Sequence, residues 1–481
     1  MKLKNGVMLI TYADSLGKNL SELHSTLNRF FVHAIQGIHI LPFFPSSADR
    51  GFSPTRYDIV DSQFGSWEDI RRLSEDYYLM CDFMINHISS KSVYYQDFLR
   101  KKDASAYANM FLRYAKLWQG GEPNQIQLDA IYKRKPRAPF VLAHFADGST
   151  EKIWCTFGDE QIDLNVNAAE TQKFIRETLC GLAEKRMAII RLDAFAYATK
   201  KVGTACFFEE PEVWELLSTV RRLLQPYDVE ILPEIHEHYS IQMKLAEHGY
   251  WVYDFALPML LLHGLYTGEA ATLANWLNIC PRKQFTTLDT HDGIGVVDVK
   301  GLLSEQQIKQ TQELLYKNGA NVKRIYSSEK YQNLDIYQIN CTYYSALGND
   351  DIAYLTARAV QIFAPGIPQI YYVGLLAGKN DIALVENTGN GRDINRHNYS
   401  QQEIEAEIER PVVKSLLKLL QFRNRHPAFS GGTVAEAAGS ILKIYRSAGQ
   451  HRATLTADLK RHEFMIEYTD VDGVIKRLEI F

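Results

Sequence analysis

Eight short apolar runs, set between longer amphipathic segments, constrain the fold of this sequence more than any other feature. They are Val7–Ala13, Gly37–Phe43, Leu79–Asn86, Ala188–Phe195, Glu230–His236, Trp251–Leu257, Gln284–His291 and Gly366–Val373. Strands this continuously apolar are buried on both faces, the pattern of a parallel sheet covered by helices. Eight strand–helix units over about 250 or more residues fit a (β/α)₈ TIM barrel, an α/β fold. An open doubly wound sheet is the alternative, but it normally carries a Gly-rich nucleotide loop. Neither GxGxxG nor GxxxxGK[ST] occurs here.

The spacing is uneven in two places. About a hundred residues separate the third run from the fourth, and about seventy-five separate the seventh from the eighth. Each gap exceeds one helix and two loops, so each is expected to hold an inserted subdomain. After about Pro427 the pattern changes to short alternating strands, with Asp472-Gly473 as a hairpin turn. The expected division is barrel residues 1–84, an insert at 85–167, barrel 168–293, a second insert at 294–348, barrel 349–428, and a small all-β domain at 429–481.

Composition excludes several classes. A net charge of -4 over 481 residues does not suit a protein built to grip nucleic acid or an anionic membrane. The six cysteines are scattered, with no CxxC pair or Cys/His cluster, which points to buried thiols in a reducing, cytoplasmic compartment. The N-terminal MKLKNGVMLITYADS reads as a first strand and lacks a cleavage site. No stretch approaches the roughly 20 apolar residues of a membrane span.

In a TIM barrel, chemistry sits at the C-terminal ends of the strands. The charged residues here fall there repeatedly. AIIRLDAF ends the fourth run with Arg191 and Asp193, which share a face by the period of two. The guanidinium is expected to keep Asp193 ionised, as a carboxylate nucleophile requires. EILPEIHEH ends the fifth run, with Glu234 and His236 on one face and with Glu230 and Glu237 as competitors for an acid role. TTLDTHDG supplies His291 and Asp292, and DFMINHIS supplies Asp82, Asn86 and His87. Any one of these alone is more often structural; their convergence on one rim points to an active site. A carboxylate pair suggests glycoside chemistry, in which a retaining enzyme holds nucleophile and acid/base about 5–5.5 Å apart. Asp, His and Glu also bind metals, but Arg191 makes a metal site less favourable. No metal and no organic cofactor are expected.

The segments DFMINH, IIRLDAFAY, EILPEIHEH and FTTLDTHDG, in this order, resemble the four signature regions of the α-amylase superfamily of glycoside hydrolases. Within it, ITYADSLG, LPFFPSSADRGFSP, NLDIYQINCTYYSAL, FAPGIPQIYYVGLLAGKND and GRDINRHNYS resemble the sucrose phosphorylase group. The resemblance spans the chain, with its inserts and β-domain where the family has its B, B′ and C domains. It implies glucosyl transfer from sucrose to inorganic phosphate with net retention. Asp193 would be the nucleophile, Glu234 the acid/base and Asp292 the stabiliser of the oxocarbenium-like transition state. Asp49, His87, Arg191, His291 and Arg392 would line the glucose pocket, with Phe52 and Phe157 as its apolar wall. Tyr197, His236, Asp335, Tyr337 and Gln338 would form the acceptor side, and Tyr337 would also bind phosphate. The resemblance permits a homodimer.

Phosphate carries roughly -1.5 to -2 charges near neutral pH, so a site that prefers it to water needs fixed cationic donors. Lys133-Arg134-Lys135-Pro136-Arg137 is the candidate segment, Arg134 foremost; a solvated basic loop is the alternative reading. Rival functions are phosphorolysis of sucrose 6′-phosphate, whose relatives tend to carry His at the position of Tyr337, and of glucosylglycerate. Further off stand a plain hydrolase or transglucosidase and a silent binding subunit. The last has little reason to keep Asp193, Glu234 and Asp292 all acidic.

Overall fold

The computed structural model describes residues 2–135, 137–320 and 338–480. Eight parallel strands form its centre: β1 (Met8–Thr11), β2 (Gly37–Ile40), β3 (Tyr78–Met84), β4 (Met187–Asp193), β5 (Glu230–Pro233), β6 (Val252–Asp254), β7 (Gln284–Thr286) and β8 (Ile367–Tyr371). The hydrogen-bonded order runs β6-β7-β8-β1-β2-β3-β4-β5. β5 and β6 meet across the remaining gap and close the barrel.

Every apolar run holds one strand, but most of the strands stop short of the run. The third run reaches Asn86 while β3 ends at Met84; the seventh reaches His291 while β7 ends at Thr286. Burial continues where the ladder ends: Ile85, Asn86, Thr290 and His291 are all buried. Hydrophobicity reports burial, not strand pairing, so the runs overshoot at the rim where the chain turns into the site.

Period-two alternation sorts the strand residues into two layers. Met8, Met80, Ile189, Leu232, Phe285 and Ile367 form one cluster. Residues from six strands can meet only inside the barrel. Their neighbours Leu9, Ile38, Cys81, Ile190 and Ile231 pack outward with helix residues such as Leu23, Leu73, Leu179 and Leu217. Asp82 and Arg191 follow Met80 and Ile189 by two positions, so they also point inward, and they are register partners across β3 and β4.

The chain between β3 and β4 carries two antiparallel pairs, His87–Ser89 with Gln161–Asp163 and Phe140–His144 with Thr150–Trp154. A buried ion pair, Lys200 Nζ to Asp163 at 2.7 Å, ties this segment to the rim, and the same ammonium donates to Asn86 at 2.8 Å. Between β7 and β8 lie the pair Ile294–Gly295 with Gln338–Ile339 and the helix Glu305–Lys317. After β8, the helix Pro411–Arg425 leads to a five-stranded antiparallel meander: β9 (Gly432–Ala438), β10 (Ile441–Ala448), β11 (His451–Asp458), β12 (Glu463–Thr469) and β13 (Ile475–Arg477). The expected hairpin at Asp472-Gly473 joins the last two, with Gly473 at φ 78°. Asn278 docks the meander on the barrel by accepting from the Ala435 N–H at 2.9 Å and donating to its carbonyl at 2.8 Å. No helix among the described residues is long and apolar enough to cross a membrane.

Candidate active site

A cavity of about 930 Å³ opens at the C-terminal rim of the barrel. β4 delivers Asp193 at its last position, and the chain leaves the ladder through Ala194, which adopts a left-handed φ of 51°. A non-glycine residue in that region is strained by about 1–2 kcal/mol. The turn aims the Ala194 N–H at Glu234, whose Oε2 accepts it at 3.1 Å. Asp193 at the end of β4 and Glu234 immediately after β5 both line the cavity. Of the competing acids, Glu230 sits at the start of β5 and pairs with Lys283 at 2.9 Å, and Glu237 accepts from the backbone at His238; neither lines the cavity.

Arg191 lies beneath this pair with only 2% of its surface exposed. Its guanidinium contacts Asp82, reaches Asp193 Oδ1 at 2.8 Å and lies 3.5 Å from Glu234 Oε1. Asp82 also pairs with His39 at 2.8 Å, both fully buried. Burial opposes the ionisation of Asp82, but His39 and Arg191 hold its carboxyl down at about 2. The expectation that Arg191 keeps Asp193 ionised needs correction. Burial pushes the Asp193 carboxyl well above the usual carboxylate range; Arg191 pulls it down, while Glu234, Asp82 and Asp292 push it further up. One guanidinium divided among three carboxylates does not neutralise them all.

His291 and Asp292 follow β7. Burial drives the His291 imidazole down to about 3, so it is neutral near pH 7. Asp292 lies far below the usual carboxylate range: burial resists this, and the surrounding positive charges overcome it. With His291 neutral, the cations acting on Asp292 at pH 7 include Arg392, whose Nη1 lies 3.7 Å from Oδ1, and Arg191. Arg392 lies equally far from Asp49 Oδ1, so it sits between two carboxylates.

Asp49 stands on a tight loop. It and Arg50 take left-handed φ values of 53° and 47°, and Gly51 follows at φ 104°. A Cβ on Gly51 would lie 2.5 Å from the Pro42 carbonyl oxygen, so the loop needs glycine there. The next residue, Phe52, stacks on His291 with centroids 4.9 Å apart and rings 4° from parallel. His87 contacts the Phe52 carbonyl oxygen at 2.9 Å and meets Phe157 edge-on at 5.6 Å. Burial lowers the affinity of His87 for a proton. Phe157 in turn packs on Tyr197 at 5.2 Å.

Arg134 lies over the rings of Tyr132 and Tyr197, 5.3 Å from each centroid, and donates to the His236 carbonyl oxygen at 3.3 Å. Arg134, Lys135, His236 and Gln338 all line the cavity. Lys133 does not belong with them: it is buried and donates to the Ile131 carbonyl oxygen at 3.1 Å. Arg137 is tied to Asp159 and to the Phe157 carbonyl oxygen. Asp335 and Tyr337 lie outside the described residues.

The structure therefore brings together Asp49, Phe52, His87, Arg134, Phe157, Asp193, Tyr197, Glu234, His236, His291, Asp292, Gln338 and Arg392 around one cavity, with Arg191 beneath. It adds Gln161, at the start of a three-residue strand, and Phe207 and Asn390, which come from irregular segments with no periodicity to reveal them. Glu234, His236 and Asp292 offer ligand atoms within 4.8 Å of one another, a set that could hold a metal ion. Arg191 and Arg392 already supply positive charge at 3.5 and 3.7 Å from two of them.

A cavity of this make-up, at the rim of this barrel, has counterparts among known proteins. Residues 27–255 match the family model for the α-amylase catalytic domain. A sucrose phosphorylase of Streptococcus mutans is 58% identical over 98% of this chain and 99% of its own. The chain belongs to the α-amylase superfamily, in its sucrose phosphorylase group. A glucosylglycerol phosphorylase of Marinobacter adhaerens is 41% identical over the whole of both chains. The crystal structure of a sucrose 6F-phosphate phosphorylase from Thermoanaerobacter thermosaccharolyticum superposes with a TM-score of 0.95, at 43% identity and over 99% of each chain. Members of this group thus keep one architecture while differing in what they cleave.

Proposed function

We propose that this enzyme transfers a glucosyl group from sucrose to inorganic phosphate, giving α-D-glucose 1-phosphate and fructose. The observation that carries the reading is the convergence of Asp193, Glu234 and Asp292 on one cavity above Arg191. The 58% identity to a sucrose phosphorylase supports the choice of donor.

Asp193 attacks the anomeric carbon and forms a β-glucosyl ester, while Glu234 gives its proton to the departing fructosyl oxygen. The first step needs Asp193 ionised and the acid proton on Glu234. Asp292, held anionic beside Arg392, faces the positive charge that develops on the sugar ring. Neutral His291 can share a hydrogen bond with a hydroxyl, His87 lines the pocket while bonded to the Phe52 carbonyl oxygen, and Phe52 and Phe157 cover the apolar faces of the sugar. In the second step phosphate attacks the ester and Glu234 takes its proton, so two inversions give net retention. Tyr197, His236 and Gln338 form the acceptor side, to which the sequence resemblance also assigns Asp335 and Tyr337. Arg134, its guanidinium fixed over two tyrosine rings, is the phosphate donor. The free thiols of all six cysteines suit a reducing, cytoplasmic setting.

A second reading, phosphorolysis of sucrose 6′-phosphate, is favoured by Lys135, a further cation beside Arg134 in the lining of the same cavity. The test is to incubate the enzyme with sucrose, with and without phosphate, and to assay glucose 1-phosphate, glucose and fructose. A parallel reaction contains sucrose 6′-phosphate. Phosphate-dependent glucose 1-phosphate from plain sucrose is expected. Free glucose regardless of phosphate would make the enzyme a hydrolase, and turnover of the phosphorylated sugar alone would move it to the second reading.

A further inference from the structure

Behind the acceptor side lies a carboxylate that the proposed glucosyl transfer does not use. Asp298 sits in the short turn Val297–Val299 after β7, and its side chain is wholly buried. Its Oδ2 lies 3.5 Å from His236 Nδ1, and the opposite nitrogen, Nε2, lies 3.7 Å from Glu234 Oε1. The imidazole between them is held flat against Phe255, with centroids 3.6 Å apart and planes 16° from parallel. Gln242 Nε2 donates to the other Asp298 oxygen at 3.3 Å. Room for the carboxylate comes from Gly295, where a Cβ would lie 2.2 Å from Asp298 Oδ2.

Among the described residues, neither ring nitrogen of His236 nor Asp298 Oδ2 makes a hydrogen bond, so each is a buried polar atom whose nearest charged neighbour is the one just named. Other charges face this chain of groups. Asp292 feels His236, burial raises the Asp298 carboxyl while His236 opposes this and Glu237 adds to it, and Arg134 donates to the His236 carbonyl oxygen. Nothing in the glucose pocket requires a buried carboxylate at Asp298. One of its oxygens faces Gln242 and the other faces the ring of His236.

We propose that Asp298 is a positioning residue for the acid/base step, holding His236 as its Nδ1–H tautomer so that Nε2 presents a lone pair to Glu234 and to the acceptor oxygen. An ionised carboxylate only accepts, so the nitrogen facing it carries the hydrogen. In the neutral ring the other nitrogen is then an acceptor. From there it orients the protonated carboxyl of Glu234, or the hydroxyl of fructose or phosphate, without itself taking a proton. The inference rests on Glu234 as acid/base.

Asp298→Asn tests it without a change of volume. Gln242 still donates to the remaining oxygen, which turns the new amide N–H toward Nδ1 and moves the ring proton to Nε2. In the full-length protein with ¹⁵N-labelled histidine, the His236 resonances, assigned by their loss in His236→Asn, should exchange their protonated and bare nitrogens. kcat with sucrose should fall ten- to a hundredfold, the usual effect of such an outer partner. Glycosylation by α-glucosyl fluoride, whose leaving group needs no proton, should change less than threefold. An unchanged tautomer, or equal losses with both donors, would overturn the proposal. Gly295→Ala, which pushes the carboxylate off the ring, should reproduce the split if Asp298→Asn does not fold. Glu234→Gln run alongside separates the two ideas: no donor split in that variant would overturn the acid/base reading itself, while the tautomer shift would still report the link between Asp298 and His236.

Discussion

His291 should make the enzyme sensitive to mild acid, and the size of the effect follows from its burial. The imidazole titrates at about 3 in the folded protein against 6.5 in a free chain. Its folded value is lowered, so between these limits the unfolded chain binds more protons. Stability therefore rises with pH across the window and is lost as pH falls. Between pH 7 and pH 5 the loss from this one residue is about 2 kcal/mol. Asp82 and Asp292 are also lowered, but their contributions disappear only as pH drops below about 3.8, outside the interval. His291→Gln keeps the polar character and removes the titration. Urea unfolding followed by tryptophan fluorescence, at pH 7 and pH 5 for both proteins, isolates the residue because the other groups cancel in the difference. The wild type should lose about 2 kcal/mol more than the variant. Equal losses would show that His291 is not held neutral by burial, and the account of the glucose pocket would fail with it.

Asp193→Asn should reduce sucrose turnover by several orders of magnitude with little change in Tm, since it removes a nucleophile and almost no volume; near-normal turnover would refute the assignment. Glu234→Gln should lose about 10²- to 10⁴-fold with sucrose and recover with α-glucosyl fluoride in single-turnover kinetics. Arg134→Ala should raise the KM for phosphate at least tenfold and send a larger share of glucosyl groups to water, measured as the ratio of glucose to glucose 1-phosphate. Arg358→Met strands Asp289, which the guanidinium now contacts at 2.8 Å in a fully buried pair, and should cost about 3–5 kcal/mol in urea unfolding.

Much of this architecture was legible in the sequence. All eight strands coincide with the apolar runs, β3 and β4 starting one residue earlier, because a parallel sheet buried on both faces must be apolar along its length. The rim acids were legible because alternation fixes which way Arg191, Asp193 and Glu234 point once the strand is known. Their ionisation was not. Whether Arg191 neutralises Asp193 depends on Glu234, Asp82 and Asp292, which approach it only in three dimensions. Lys133 and Arg134 are adjacent and equally basic in sequence, yet one is buried against a carbonyl and the other faces the cavity. Irregular segments carry no period, so nothing local separates the two. Asp298 escaped for the same reason, since its importance lies in a glycine three residues before it and a ring on another segment.

The proposed nucleophile and the proposed phosphate-binding arginine are anchored differently. Arg191 and Asp193 belong to the barrel wall itself, while Arg134 and Gln338 ride on segments inserted between its strands. An insert can be rebuilt without moving a barrel strand. Selection for a new co-substrate would then act on Arg134 and Gln338 while Arg191 and Asp193 keep their places in the barrel wall. Grafting the residues around Arg134 and Gln338 from a relative of different acceptor choice is accordingly the most economical route to redirecting this enzyme.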